Sequence, residues 1–143
     1  MKPERSLRAI ALDYLGRREH ARAELERKLV LKGHDSIEIM AVLDRLQAQN
    51  LQSDDRFASS FLDQRARTGH GPIKISMELE QHGVASSIID AIFAEAPFDW
   101  YALAKELWQR KFSEPAIEMK EKMRRHRFML QRGFSYDHFK GLL

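Results

Sequence analysis

Leu29-Val30-Leu31-Lys32-Gly33-His34 returns as Leu79-Glu80-Gln81-His82-Gly83-Val84 and again as Met129-Leu130-Gln131-Arg132-Gly133-Phe134. The three phrases stand fifty positions apart, and a fixed period marks a chain built from repeated structural units. Each glycine follows a stretch with helical patterning and precedes another, where a left-handed turn past a helix C-terminus needs a residue without Cβ. The register holds away from the glycines. Leu29, Leu79 and Met129 lie four residues before them; Ile39, Ile89 and Phe139 lie six after; Val42, Ile92 and Leu142 lie nine after. These columns set the fold class: all-α, three tandem three-helix repeats forming an elongated, curved array.

The apolar spacing fills in the helices. Leu7, Ile10, Ala11, Tyr14 and Leu15 form one stripe, and Leu103, Ala104, Leu107 and Trp108 repeat it a hundred residues later. The patterning predicts helices near 5–17, 21–32 and 36–48, then 54–68, 72–82 and 86–95, then 99–112, 115–131 and 136–143. The units are 1–50, 51–97 and 98–143, sharing cores because so small a unit buries little alone. Boundary chemistry agrees. Asp35 with Glu38 reads as a capping box, Gly71-Pro72 opens the middle unit's second helix, and Pro115 is expected to do the same in the third. In that third unit Arg125 stands where Leu25 and Ile75 stand in the others, which predicts a rotated or extended helix.

With 143 residues and no cysteine, the chain can bury a core but holds no disulfide or thiolate metal site. The opening Met1-Lys2-Pro3-Glu4-Arg5-Ser6-Leu7-Arg8 is too charged for a signal peptide, and no run nears the roughly 20 apolar residues that cross a bilayer. A cytoplasmic location without membrane contact is expected. The net charge of +3 is uneven: residues 1–50 carry 10 Lys and Arg against 8 Asp and Glu, residues 51–99 carry 4 against 8, and residues 100–143 carry 10 against 5. Such a dipolar chain suits nucleic acid or an acidic protein surface.

No catalytic constellation emerges. The six histidines read as surface residues near helix ends, and two of them with glutamate at helical spacing do not make a metal site. Gly69-His70-Gly71-Pro72 lacks the Lys-Ser/Thr of a phosphate loop and reads as a turn. No cofactor, metal or small-molecule substrate is expected. The basic clusters are the candidates for binding. Arg17, Arg18, Arg22, Arg27, Arg65, Arg67 and Lys74 form one; Lys122, Arg124, Arg125, Arg127 and Arg132 form the other. Reversing Arg124 and Arg125 together is expected to leave the fold intact. Arginine's planar fork suits carboxylate or phosphate, although local partners four residues away, such as Glu106 for Arg110 and Glu121 for Arg125, compete for several of these charges. The aromatics Trp100, Trp108, Phe112, Phe128 and Phe134 fall on inward stripes.

Tyr14-Leu15-Gly16-Arg17-Arg18-Glu19-His20-Ala21-Arg22-Ala23-Glu24-Leu25, then Lys28-Leu29, resembles the opening motif of the RecX recombination regulators. Asp54-Asp55-Arg56-Phe57-Ala58, Arg65-Ala66-Arg67-Thr68-Gly69-His70-Gly71-Pro72 and Arg132-Gly133-Phe134-Ser135-Tyr136 are similar to later motifs of that family, in its order. Ala21 departs from the usual capping Ser. The resemblance implies a non-enzymatic cytoplasmic protein that binds the RecA recombinase in its filament on single-stranded DNA. It further implies inhibition of the filament's ATPase, strand-exchange and co-protease activities. Residue reading alone leaves open a direct DNA-binding protein of helix-turn-helix-like units, with weak phosphate contacts, although the third helices are apolar and acidic.

Overall fold

Leu29, Leu79 and Met129, the residues that open the repeated phrase, are each fully buried in the computed structural model, which describes residues 5–143. Residues 1–4, where the charged opening of the chain was read, lie outside the described residues. The elements are α1 (Leu7–Arg17), α2 (Arg22–Leu31), α3 (Ser36–Ala48), α4 (Asp54–Arg67), α5 (Pro72–Gln81), α6 (Ser86–Glu95), α7 (Trp100–Lys111), α8 (Met119–Gln131) and α9 (Tyr136–Phe139). A 3-10 turn, Lys140–Leu142, follows α9. Among the described residues there is no strand, and the chain is all-helical in three successive three-helix groups.

The repeated phrase has one backbone solution. Gly33, Gly83 and Gly133 take φ of +86°, +81° and +96°. In each turn the amide after glycine returns to the carbonyl of the buried column residue: His34 to Leu29, Val84 to Leu79, Phe134 to Met129. This is the Schellman closure of a helix C-terminus. Gly69 and Asn50, also at positive φ, close α4 and α3 in the same way, onto Arg65 and Leu46. Leu29, Leu79 and Met129 thus terminate a helix through their carbonyls and anchor it through their side chains.

Each group packs its own core. Ala11, Leu25, Leu29, Ile39, Leu43 and Leu46 fill the first. Phe57, Ala58, Leu62, Ile75, Leu79 and Ile89 fill the second, joined by Ala21 from the first unit. Trp108, Phe112, Met129, Phe134 and Phe139 fill the third, and Trp100 and Leu103 pack against both second and third cores. The six-after and nine-after columns also face inward: Ile39, Ile89 and Phe139 are buried, and Val42, Ile92 and Leu142 are half-buried.

Several local expectations are corrected. The Asp35 side chain makes no cap bond, so Asp35 and Glu38 form no capping box. At α2 the returning half of such a box is present instead, with Glu24 accepting from the Ala21 amide at 3.3 Å. Pro115 lies in the connection before α8, which starts at Met119 with Glu118 at its N-cap. Of the rotated or extended helix expected from Arg125, the extension is present, with α8 running 13 residues against 10 in α2 and α5, and the rotation is not. Arg125 occupies the core register of Leu25 and Ile75, with its side chain 8% exposed. Its guanidinium lies 4.5 Å from the Phe112 ring centroid and 5.5 Å from that of Trp108, and its Nε donates to Glu121 at 2.9 Å. Histidines are not surface residues either: His20 is buried, and the other five are half-buried. His82 packs edge-on to Phe57 and Phe61, and His138 to Tyr101.

Candidate partner-binding surface

The α1–α2 turn is built around His20. Its Nδ1 lies 3.0 Å from the Arg18 carbonyl and its Nε2 lies 2.9 Å from Lys28 Nζ. A hydrogen on Nδ1 and a bare Nε2 satisfy both contacts, so the ring is neutral. Burial pushes its pKa below the usual histidine range, and the Arg18 and Lys28 charges act in the same direction. Glu24 holds Arg18 in a two-pronged bond of 3.1 and 2.5 Å. That bond keeps the Glu24 carboxyl below its ordinary pKa against the opposing effect of burial.

From Arg18 a line of cations and rings crosses the molecule. Arg18 and Arg65 border a cleft of about 630 Å³ whose wall includes Phe57, Phe61 and His82 together with the carboxylates of Glu19 and Asp63. Arg65 lies over Phe61 at 4.9 Å and pairs with Glu78 at 3.3 Å. His70 comes next. Its pKa is lowered by burial first and then by the charges of Lys74, Arg132 and Arg65, with only Glu78 opposing. Arg132 continues over Phe128 at 5.5 Å, and Lys111 lies over the same ring at 5.3 Å. Phe128 meets Phe112 edge-on, and Arg124 lies over Phe112 at 5.7 Å. Cation–ring contact and ion pairing fix these side chains together: Glu24 holds Arg18, Glu78 holds Arg65, and Glu121 takes both Nε and a terminal nitrogen of Arg124 at 2.9 and 2.7 Å, while Arg132 and Lys111 meet the Phe128 ring.

The two sequence clusters therefore converge: Arg65 and Lys74 of the first and Arg132 of the second all act on His70, and Lys74 lies against Gly133, next to Arg132 in the chain. The rest disperse. Arg17 is exposed beside Asp13. Arg22 is engaged with Asp44 and Gln47 on α3, and Arg27 folds back on its own helix. Arg67 pairs with Asp63 and lies over Phe98. Lys122 is half-buried, Arg127 is exposed on the outer side of α8, and Arg125 is withdrawn into the core. Of the two pairs named from helical spacing, Glu121–Arg125 forms at 2.9 Å; Glu24 and Lys28, also four residues apart, meet at 4.0 Å. Sequence reading missed His70 and Lys111. His70 belongs to a sequence that reads as a turn and Lys111 lies in the last turn of α7, and only the tertiary arrangement puts each beside the arginines.

Among the described residues no group of three potential metal ligands occurs, and no helix is long and apolar enough to cross a membrane. What this surface offers is charge and stacking.

Comparison with known proteins identifies the lineage. Family models described as the first, second and third three-helix domains of RecX match residues 8–46, 53–92 and 99–142. A protein named regulatory protein RecX from Pseudomonas fluorescens Pf-5 is 42% identical over 140 residues, covering 96% of this chain and 90% of its own. One of the same name from Halorhodospira halophila is 40% identical over 134 residues, covering 92% and 83%. Two crystal structures share the fold. One, of regulatory protein RecX, has a TM-score of 0.74 at 24% identity over 94% of this chain and 70% of that one. The other, of RecX from Lactobacillus salivarius, scores 0.73 at 24% identity over 94% and 90%. A repeated helical triplet matched unit by unit, with relatives aligned almost end to end, makes this chain a member of the RecX family of regulatory proteins.

Proposed function

We propose that this protein binds the RecA recombinase in its nucleoprotein filament on single-stranded DNA and restrains it. Binding lowers the filament's ATPase, strand-exchange and co-protease activities in cytoplasmic DNA repair and recombination. The family membership supports the identity of the partner. The observation that carries the mode of binding is the cation–ring line from Arg18 to Arg124, which spans all three helical groups. In this reading residues 1–50, 51–97 and 98–143 work as one continuous array, and the protein acts by occupancy, without catalysis. A contact of that length suits a polymer whose repeating protomers present carboxylates at intervals. Arg65, Lys74 and Arg132, with one carboxylate among them, are its centre. Arg18 and Arg124 extend it, and DNA phosphates take at most weak contacts beside it.

The test is a titration of the cognate recombinase's DNA-dependent ATP hydrolysis with this protein, beside its binding to naked DNA at about 0.15 M salt. Inhibition is expected well below the concentration that coats DNA, and Lys74→Glu with Arg132→Glu is expected to weaken it at least tenfold. Tight binding to bare duplex without any effect on hydrolysis would instead establish the direct DNA-binding alternative.

A further inference from the structure

We propose that the outer face of α8 docks into the groove between α5 and α6 of a second copy of this chain, in a head-to-tail contact. This proposal does not rest on the recombinase reading. Among the exposed apolar surfaces of the described residues, two are complementary.

The first is a groove of about 700 Å³ bordered by Ile73, Met77, Ile89, Phe93 and Ala94. Ile73 and Met77 are each about half exposed. Asp90 is its one charged lining residue, and Glu80 stands exposed one turn beyond Met77 on α5. The groove is therefore apolar at its base and acidic at its edge, within the part of the sequence that carries 4 basic against 8 acidic residues.

The second is α8. Its buried side is Arg125 and Met129. On a flank about a third of a turn from that side, Met119, Met123 and Leu130 are exposed at i, i+4 and i+11, which aligns them on one stripe of a 3.6-residue helix. Lys120 and Arg127, both exposed, form a parallel basic stripe beside it, with Arg124 between them already paired to Glu121. An apolar stripe with an adjoining charged one is how a helix seats in a groove. Here the sign of that charge matches the acid at the groove's edge.

A single chain cannot close this contact on itself. The C-terminus of α8 abuts the N-terminus of α5 through backbone bonds from Gly71 to Arg132 and from Ile73 to Gly133. That end-to-end joint holds the outer face of α8 away from its own α5–α6 groove. The docked helix must come from another molecule. Since the two surfaces differ, each copy keeps one free stripe and one free groove, and assembly continues as an open chain.

Sedimentation of the full chain tests this. The average mass is expected to rise with protein concentration, and less so at high salt, which screens the charged edges. Met123→Glu removes the stripe and Met77→Glu removes the groove. Each variant alone is expected to stay monomeric with unchanged helical circular dichroism, because both side chains are half exposed. Mixed together they should form a one-to-one dimer and nothing larger, since one good stripe then meets one good groove. Met119→Ser and Ile73→Ser serve as a second pair should either glutamate variant lose helicity. A wild-type chain that is monomeric throughout overturns the proposal. So does either single variant associating like wild type, or a mixture that stays monomeric while wild type assembles.

Discussion

Gly71 and Gly133 touch backbone to backbone, and the joint between the second and third helical groups is made there. The Gly71 amide donates to the Arg132 carbonyl at 2.7 Å, and the Ile73 amide donates to the Gly133 carbonyl at 3.0 Å. The free amides at the start of α5 thereby satisfy free carbonyls at the end of α8, opposite ends of two helix dipoles. A Cβ on Gly71 would fall 2.4 Å from the Gly133 carbonyl carbon and 2.5 Å from the Phe134 amide nitrogen. One on Gly133 would fall 2.3 Å from Lys74 Cβ, at a φ of +96°. Gly133 is thus required twice, by its own turn and by its neighbour.

Gly71→Ala is expected to cost about 1–3 kcal/mol, because the obstructing atoms are backbone and cannot rotate aside. The loss should appear in urea unfolding as earlier, less cooperative melting of the third group. Gly16→Ala is the control. Nothing lies within 4 Å of the added methyl and the site is helical, so a gain of about 0.5 kcal/mol is expected. Equal effects at the two glycines would mean that the joint is not close-packed.

Arg125 separates burial from charge. Replacing it with Leu restores the residue type of its counterpart Leu25, and a buried ion pair is often exchanged for apolar packing at little cost. Arg125→Leu is expected to unfold within about 1 kcal/mol of wild type. Arg125→Glu sets a second carboxylate beside Glu121 against the faces of Phe112 and Trp108, and should cost more than about 3 kcal/mol. Reversing Arg124 and Arg125 together, which residue spacing suggests the fold would tolerate, is therefore expected to destabilise it through the buried Arg125. Lys122→Glu with Arg124→Glu should leave the melting temperature nearly unchanged. Thermal melts of the three variants decide this.

The repeat was legible because the glycine turns and the buried columns are local rules, written in residues within one helix length of one another. Gly33, Gly83, Leu29, Leu79, Ile39 and Ile89 needed no tertiary knowledge. Arg125 was misread because helical periodicity cannot see Trp108 and Phe112 across the interface, and these rings let an arginine stand in a leucine position. Pro115 was misplaced for a related reason: proline fits the first turn of a helix but fits an extended connection equally well. At the candidate surface, residue types were visible and convergence was not. Arg65, Lys74 and Arg132 lie far apart in sequence, and the Gly71–Gly133 joint is what gathers them around His70.

Asp54 joins the first two groups by a capping bond made across the interface. It sits in the first turn of α4, whose own N-cap is Ser53. Its Oδ1 instead accepts from the Arg22 amide at the start of α2, at 2.9 Å, and from Gln52 Nε2 at 2.9 Å. It thus supplies what Ala21, with no side-chain oxygen, cannot. Asp54→Ala should cost about 1 kcal/mol. Adding Ala21→Ser should recover part of that loss, giving α2 a cap of its own. No recovery in a double-mutant cycle would show that Asp54 acts only within α4.

His20 and His70 make stability depend on pH, with a definite sign. Both have pKa values held below the ordinary 6.5 in the folded protein. The unfolded chain consequently binds more protons than the folded one in the interval beneath 6.5. Stability is full above that value and falls as pH drops through it, levelling once the folded-state values are passed. For His20 the cause is concrete, since protonating Nε2 would set an imidazolium against Lys28 at 2.9 Å. Denaturant unfolding between about pH 7.5 and 5 should show this decline. His20→Gln keeps a donor and an acceptor without the titration, and should flatten part of the slope. A slope unchanged in both His20→Gln and His70→Gln would assign the loss to carboxylates, and proton NMR titration of the two rings would then find their pKa values at or above 6.5.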